Sequence, residues 1–160
     1  MKEKIEKFLK EKFEEHQLDI KGWSYDFDNS KKQLGLCSSK RKKIFISQYN
    51  FKYYSEEKFK NTVLHEIAHA LNYIEGTEDG HGPNWKKICI RIGAEPIRCA
   101  ETNNAIIQQK IDNKEYKWTY NCPKCEHIIG SHRRRTIKRS CGKCCSYWNP
   151  EYELIEKKVY

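Results

Sequence analysis

Two cysteine pairs late in the chain constrain its folding more than any other feature. Cys122-x2-Cys125 is followed, fifteen residues on, by Cys141-x2-Cys144. Each Cys-x2-Cys turn aims two thiolates at one point, and two such turns complete a tetrahedron suited to zinc. Because metal binding contributes folding free energy directly, such a segment can be ordered around a very small apolar core. Cys145 is a fifth thiol, and a register in which it replaces Cys144 is the alternative. Free thiolates require a reducing compartment. Met1 to Glu15 is charged throughout, without the apolar stretch of a secretory signal, and no apolar run exceeds three residues, as at Ile44 to Ile46. The expectation is a soluble intracellular protein, in cytoplasm and nucleoid or in a nucleus depending on the host, with no membrane partner. There thiols stay reduced. Cys37, Cys89 and Cys99 then read as small buried apolar residues.

A second constellation is His65-Glu66-Ile67-Ala68-His69. Its surroundings are helical: Ser55 can cap a helix whose apolar positions Phe59, Val63, Ile67, Ala70, Leu71 and Ile74 keep a 3.6-residue period, with Gly76 placed to end it. Histidines at i and i+4 share one helical face and can grip one zinc ion, which leaves Glu66 to act on a water. A catalytic zinc needs a third protein ligand. Positions 72 and 75 are Asn and Glu, so the longer motif that would place a third histidine at 75 fails. The next histidine is His81, between Gly80 and Gly82, where the chain can turn back over the helix. His81 is the expected ligand, with Glu75, Glu78 and Glu95 as alternatives. Structural zinc usually fills all four positions with protein, so an intact Glu66 favours catalysis.

Around these motifs the pattern is α+β. Ile5, Phe8, Leu9 and Phe13 mark an amphipathic helix over the first eighteen or so residues. Trp23, Tyr25 and Phe27 alternate, as do Leu34 and Leu36, and Ile44-Phe45-Ile46 follows a further turn; three strands in an antiparallel meander are expected. Pro83 can open a helix lined by Trp85, Ile88, Cys89 and Ile92 and stopped by Gly93. Residues 100 to 115 are polar and rich in Asn and Gln, a linker with some helix, and the composition shifts after Tyr116. The expected domains are therefore 1–115, and 116–160 for the zinc-binding segment with a C-terminal tail.

The chain carries a formal charge of +9, unevenly placed. Between residues 121 and 145, Lys124, Arg133, Arg134, Arg135, Lys138, Arg139 and Lys143 face only Glu126, a net of +6. Four thiolates on one divalent ion leave that segment near +4. Trp118, Tyr120, Tyr147 and Trp148 flank it, offering rings for base stacking or a small core of its own. Lys40-Arg41-Lys42-Lys43 forms a second basic run at a strand turn. Arg133, Arg134, Arg135, Lys138, Arg139 and Lys143 are the candidate DNA contacts, made to phosphates, with steep salt dependence and little sequence preference.

His65-Glu66-x-x-His69, the Gly-containing loop to His81-Gly82-x-x-Trp85, and the two Cys-x2-Cys pairs together resemble the SprT-like metalloprotease family. The likeness runs from Gln33-Leu34-Gly35-Leu36-Cys37 and Lys43-Ile44-Phe45-Ile46-Ser47 to about Trp148. The resemblance implies a zincin-like α+β protease domain followed by a zinc ribbon, and DNA-stimulated cleavage of DNA-bound or DNA-crosslinked proteins, a role in crosslink repair. Read with it, His65, His69 and His81 hold a catalytic zinc and Glu66 is the general base. Cys122, Cys125, Cys141 and Cys144 hold a structural zinc. Protein substrates and DNA are the expected partners, with the chain acting as a monomer. The competing reading is a non-catalytic, zinc-dependent nucleic-acid-binding adaptor; a third is a peptidase unrelated to DNA.

Overall fold

A computed structural model describes residues 1–98 and 104–160; Cys99, expected to be buried, lies outside them. The chain divides into two compact units, Met1–Cys99 and Ala100–Tyr160. In the first, helix α1 (Lys2–Glu15) buries Ile5, Leu9 and Phe13, spaced four residues apart on one face. Strands β1 (Ser24–Asp28), β2 (Gly35–Ser38) and β3 (Lys43–Ser47) precede helix α2 (Glu56–Ile74) and helix α3 (Pro83–Ile92). Ser55 caps α2, its hydroxyl accepting from the Lys58 N–H at 3.2 Å. Pro83 opens α3 and Gly93, at φ 77°, closes it in the left-handed region.

The three strands do not form the expected antiparallel meander. Their order is β1-β3-β2, with β1 parallel to β3 and β2 antiparallel to it. Period-two alternation reports which face a side chain occupies, not which strand lies beside it. Burial decides the order here: β3 carries Ile44 and Ile46, both fully buried, and takes the centre. A short 3-10 turn, Ser39–Arg41, closed by Lys42 at φ 47°, folds β2 back on β3. Parallel pairing of β1 with β3 needs a connection of roughly a dozen residues or more. Residues 29–42 supply it, with β2 inside the crossover.

That crossing segment is held by one buried amide. The two N–H groups of Asn50 Nδ2 are shared among three acceptors, the carbonyls of Ser30 at 2.9 Å and Gln33 at 3.2 Å and Ser47 Oγ at 2.9 Å. Ser47 Oγ also donates to the Ser30 carbonyl at 2.6 Å. Helix α2 packs against α1, α3, β2 and β3, so it is buried on more than one face; Phe59, Val63, Ile67, Ala68 and Ala70 have no exposed surface. Fully burying each larger apolar side chain stabilises by about 1.5–3 kcal/mol.

In the second unit, α4 (Asn104–Asp112) packs on β5 (Ile128–Ser131). Residues 104–112, within the stretch expected to be a polar linker with some helix, form this helix around the buried Ile107. Asn104 ties it down, accepting from the Ile128 N–H at 3.2 Å and donating to the Glu126 carbonyl at 3.0 Å. Strand β4 (Trp118–Asn121) lies between β5 and β6 (Ile155–Lys158), all antiparallel. The expected C-terminal tail is thus a strand, anchored by the buried Leu154. No helix among the described residues is long and apolar enough to cross a membrane.

Asn50→Ala removes the amide's hydrogen bonds to the Ser30 and Gln33 carbonyls, leaving Ser30 with Ser47 Oγ alone, at a cost of about 0.5–1.5 kcal/mol per bond lost. Urea denaturation is therefore expected to show a loss of several kcal/mol at most and at least about 1 kcal/mol, and an unchanged midpoint would contradict this account of the crossover.

Candidate metal centres

Helix pitch places His65 and His69 one above the other on α2, with ring centroids 5.1 Å apart. The helix ends at Ile74, and Gly76 and Gly80, both at φ 67°, let the chain double back. This brings His81 Nε2 to 3.1 Å from His69 Nε2 and 3.2 Å from His65 Nε2. Nitrogens at about 2.0–2.1 Å from a tetrahedral zinc stand about 3.3 Å apart, so the three rings fit a shared ion. Burial and the neighbouring rings push His65 and His69 down to about 4, and burial lowers His81 as well. All three are therefore neutral near pH 7, with lone pairs free to ligate. The alternative ligands are engaged elsewhere or outside the cluster: Glu75 pairs with Arg91, Glu95 with Asn61 at 3.2 Å, and Glu78 is exposed.

Glu66 projects from the same turn of α2 and is only 7% exposed. Burial raises its carboxyl to about 8, while the Cys37 backbone N–H, donating to it from β2, pulls the other way. A cation held by the adjacent histidines would further favour the ionised form. The group is therefore a buried carboxyl on the same helical turn as two of the three histidines. Three protein ligands leave one tetrahedral position for a water or a substrate oxygen.

Three further residues position this site, and for two of them, Asn72 and Asp79, the role was not foreseen. Trp85, expected on the apolar face of α3 and in the His81-Gly82-x-x-Trp85 motif, is fully buried with its ring centroid 4.8, 5.2 and 4.6 Å from those of His65, His69 and His81. Asn72, one turn beyond His69 and completely buried, donates to Asp79 Oδ1 at 2.9 Å and accepts from Thr77 Oγ1 at 2.7 Å. Asp79 in turn accepts from the backbone N–H groups of Asn84 at 2.8 Å and Trp85 at 3.2 Å, capping α3. The loop that presents His81 is thus tied at one end to α2 and at the other to α3. The only sequence signal was a buried-type position occupied by Asn and an acidic residue ahead of Pro83.

The four cysteines converge in the second unit. Cys122 Sγ lies 3.8 Å from Cys144 Sγ and Cys125 Sγ 3.7 Å from Cys141 Sγ. Sulfurs bound at about 2.3 Å to a tetrahedral zinc stand about 3.8 Å apart. Cys145 is not in the group; its N–H donates to the Cys141 carbonyl at 3.0 Å. Cys122, Cys141, Tyr120 and Leu154 form a small core.

The basic residues of this unit divide in two. Arg134 pairs with Glu156 at 2.9 Å and lies over the Trp118 ring, Lys138 pairs with Glu153 at 2.9 Å, and Arg135 lies over Tyr120. Tyr120 is only 4% exposed, so its ring belongs to the core and is closed to bases. Arg133, Arg139 and Lys143 are exposed with no ion pair among the described residues, and Tyr147 and Trp148 are 71% and 51% exposed.

Removing the Asp79 carboxylate in Asp79→Ala is expected to weaken zinc at the histidine cluster by about 10–100-fold, as loss of supporting hydrogen bonds does. Competition with a chelator measures it; unchanged affinity would mean that the loop is held otherwise. A search of curated proteins finds no match to the chain. Comparison with family profiles matches residues 1–115, which hold the histidine cluster, to the SprT-like family. Two clusters able to hold zinc, and that match over most of its length, establish that the chain belongs to the SprT-like family, associated with metalloprotease-type domains.

Proposed function

We propose that this protein is a zinc metalloendopeptidase that hydrolyses peptide bonds in DNA-bound or DNA-crosslinked proteins, with Glu66 as the general base. One observation carries the reading: a buried carboxyl shares a helical turn with two members of a three-histidine cluster that leaves one ligand position open. His65, His69 and His81 would hold zinc, which when bound supplies Lewis-acid polarisation and a lowered pKa for water. Glu66 takes the proton from the attacking water as the carbon–oxygen bond forms, then delivers it to the amine nitrogen as the peptide bond breaks. Burial raises its proton affinity, and a cation at the histidines would bring it back towards the ionised form that a base requires. Strand β2 has β3 on one side only among the described residues. An extended polypeptide can add to that free edge, where Gly35 borders Glu66. The four-cysteine group would hold a second zinc that orders the ribbon.

DNA is the proposed partner of the ribbon. Arg133, Arg139 and Lys143 are free to meet phosphates, and the exposed Tyr147 and Trp148 can stack on bases. Arg134, Arg135 and Lys138 contribute charge to the same surface while held by Glu156, Tyr120 and Glu153.

The test is cleavage of an unfolded DNA-binding protein, with and without DNA, by the native chain and by Glu66→Gln. The variant should keep its zinc and lose activity by about 10²–10⁴-fold, the usual contribution of a general base. DNA should stimulate the native chain, less so at high salt. Full activity of Glu66→Gln sinks the mechanism. Equal cleavage without DNA would leave a peptidase unrelated to DNA, and tight DNA binding without cleavage would leave an adaptor.

A further inference from the structure

Gly35 opens β2 where that strand passes α2. Its backbone is not in the left-handed region, so the conformation itself would accept any residue. What glycine supplies is space. A β-carbon at position 35 would stand 2.8 Å from Glu66 Cγ, 2.8 Å from Glu66 Oε1 and 2.8 Å from Thr62 Cγ2. Comfortable carbon contacts begin at about 3.5 Å. Neither neighbour can give way freely. Thr62 is buried, and its hydroxyl donates to the Lys58 carbonyl at 2.9 Å, which sets the methyl towards β2. Glu66 is enclosed, with only 7% of its surface exposed.

We infer that Gly35 is a positioning residue for the general base: the missing β-carbon lets the Glu66 side chain lie flush against β2, beside Thr62. The strand thus supplies room for a side chain that belongs to a different element. A methyl group at position 35 displaces the carboxylate, and the atoms it would meet first belong to Glu66 and Thr62, not to the three histidines. The inference rests on the catalytic role proposed for Glu66.

The test compares Gly35→Ala and the double variant Gly35→Ala/Thr62→Ser with the native chain. Thr62→Ser keeps the hydroxyl that bonds Lys58 and removes the methyl, giving the new β-carbon room away from Glu66. Zinc per chain, the crystallographic position of Glu66 relative to β2, and kcat and KM on an unfolded protein substrate are measured for each. Gly35→Ala should hold as much zinc as the native chain and show a displaced carboxylate. Its kcat should fall about 10–100-fold at little-changed KM, the scale of a misplaced catalytic group. The double variant should regain part of kcat. Undiminished kcat in Gly35→Ala overturns the inference, as does loss of zinc, which would make Gly35 a support of the histidines instead. If the native chain itself cleaves nothing, the proposed function fails and the structures alone decide: a displaced Glu66 with zinc retained upholds the steric claim, and an unmoved one overturns it.

Discussion

The His81 nitrogen, held 3.1 Å from that of His69 and 3.2 Å from that of His65, is the constraint around which the first unit is arranged. Protonated, the rings would repel one another strongly; neutral, they converge on one point with the spacing of ligands around a tetrahedral ion. Burial keeps them neutral, and each neighbouring element contributes to that burial. Helix α2 fixes two rings by its pitch, the Asn72–Asp79 bonds fix the loop that brings the third, and Trp85 closes the cluster from α3. Loosening any of these supports moves a nitrogen away from the common point.

The same economy governs Glu66. A carboxyl this buried is costly unless a partner or a neighbouring charge compensates it. The Cys37 N–H is one compensation, and a divalent ion in the histidine cluster would be the other. Its setting separates the two clusters chemically. Four thiolates would fill the shell of a tetrahedral ion, while three imidazoles would leave one position, which is the basis of the division proposed above. The second unit is built for the first kind of site: a few core side chains around the cysteines, three short strands and a short helix tied on by Asn104.

Much of this was legible because the strongest signals were local. The helix around His65 and His69, its Ser55 cap, Pro83 at the start of α3 and the glycine stops follow from periodicity and backbone chemistry within a few residues. What stayed hidden was non-local. The order β1-β3-β2 depends on which strand is most deeply buried and on Asn50 pinning the crossover, neither of which alternation encodes. Trp85 read as core because it is core; that the histidines pack on it follows from the return of the loop. Gly35 carried no mark in the sequence, since its role is an absence of atoms beside a residue thirty-one positions away. The rings flanking the ribbon were open to base stacking or to a small core, and Tyr120 belongs to the core.

The account stands on there being two separate metal centres, one of them completed by His81. Mass analysis of the purified native chain and of His81→Ala counts them directly. Two zinc ions in the native chain, falling to one in the variant with the four-cysteine site still loaded, are the predicted result. One zinc in both proteins would mean that the three histidines hold no ion, and would contradict it.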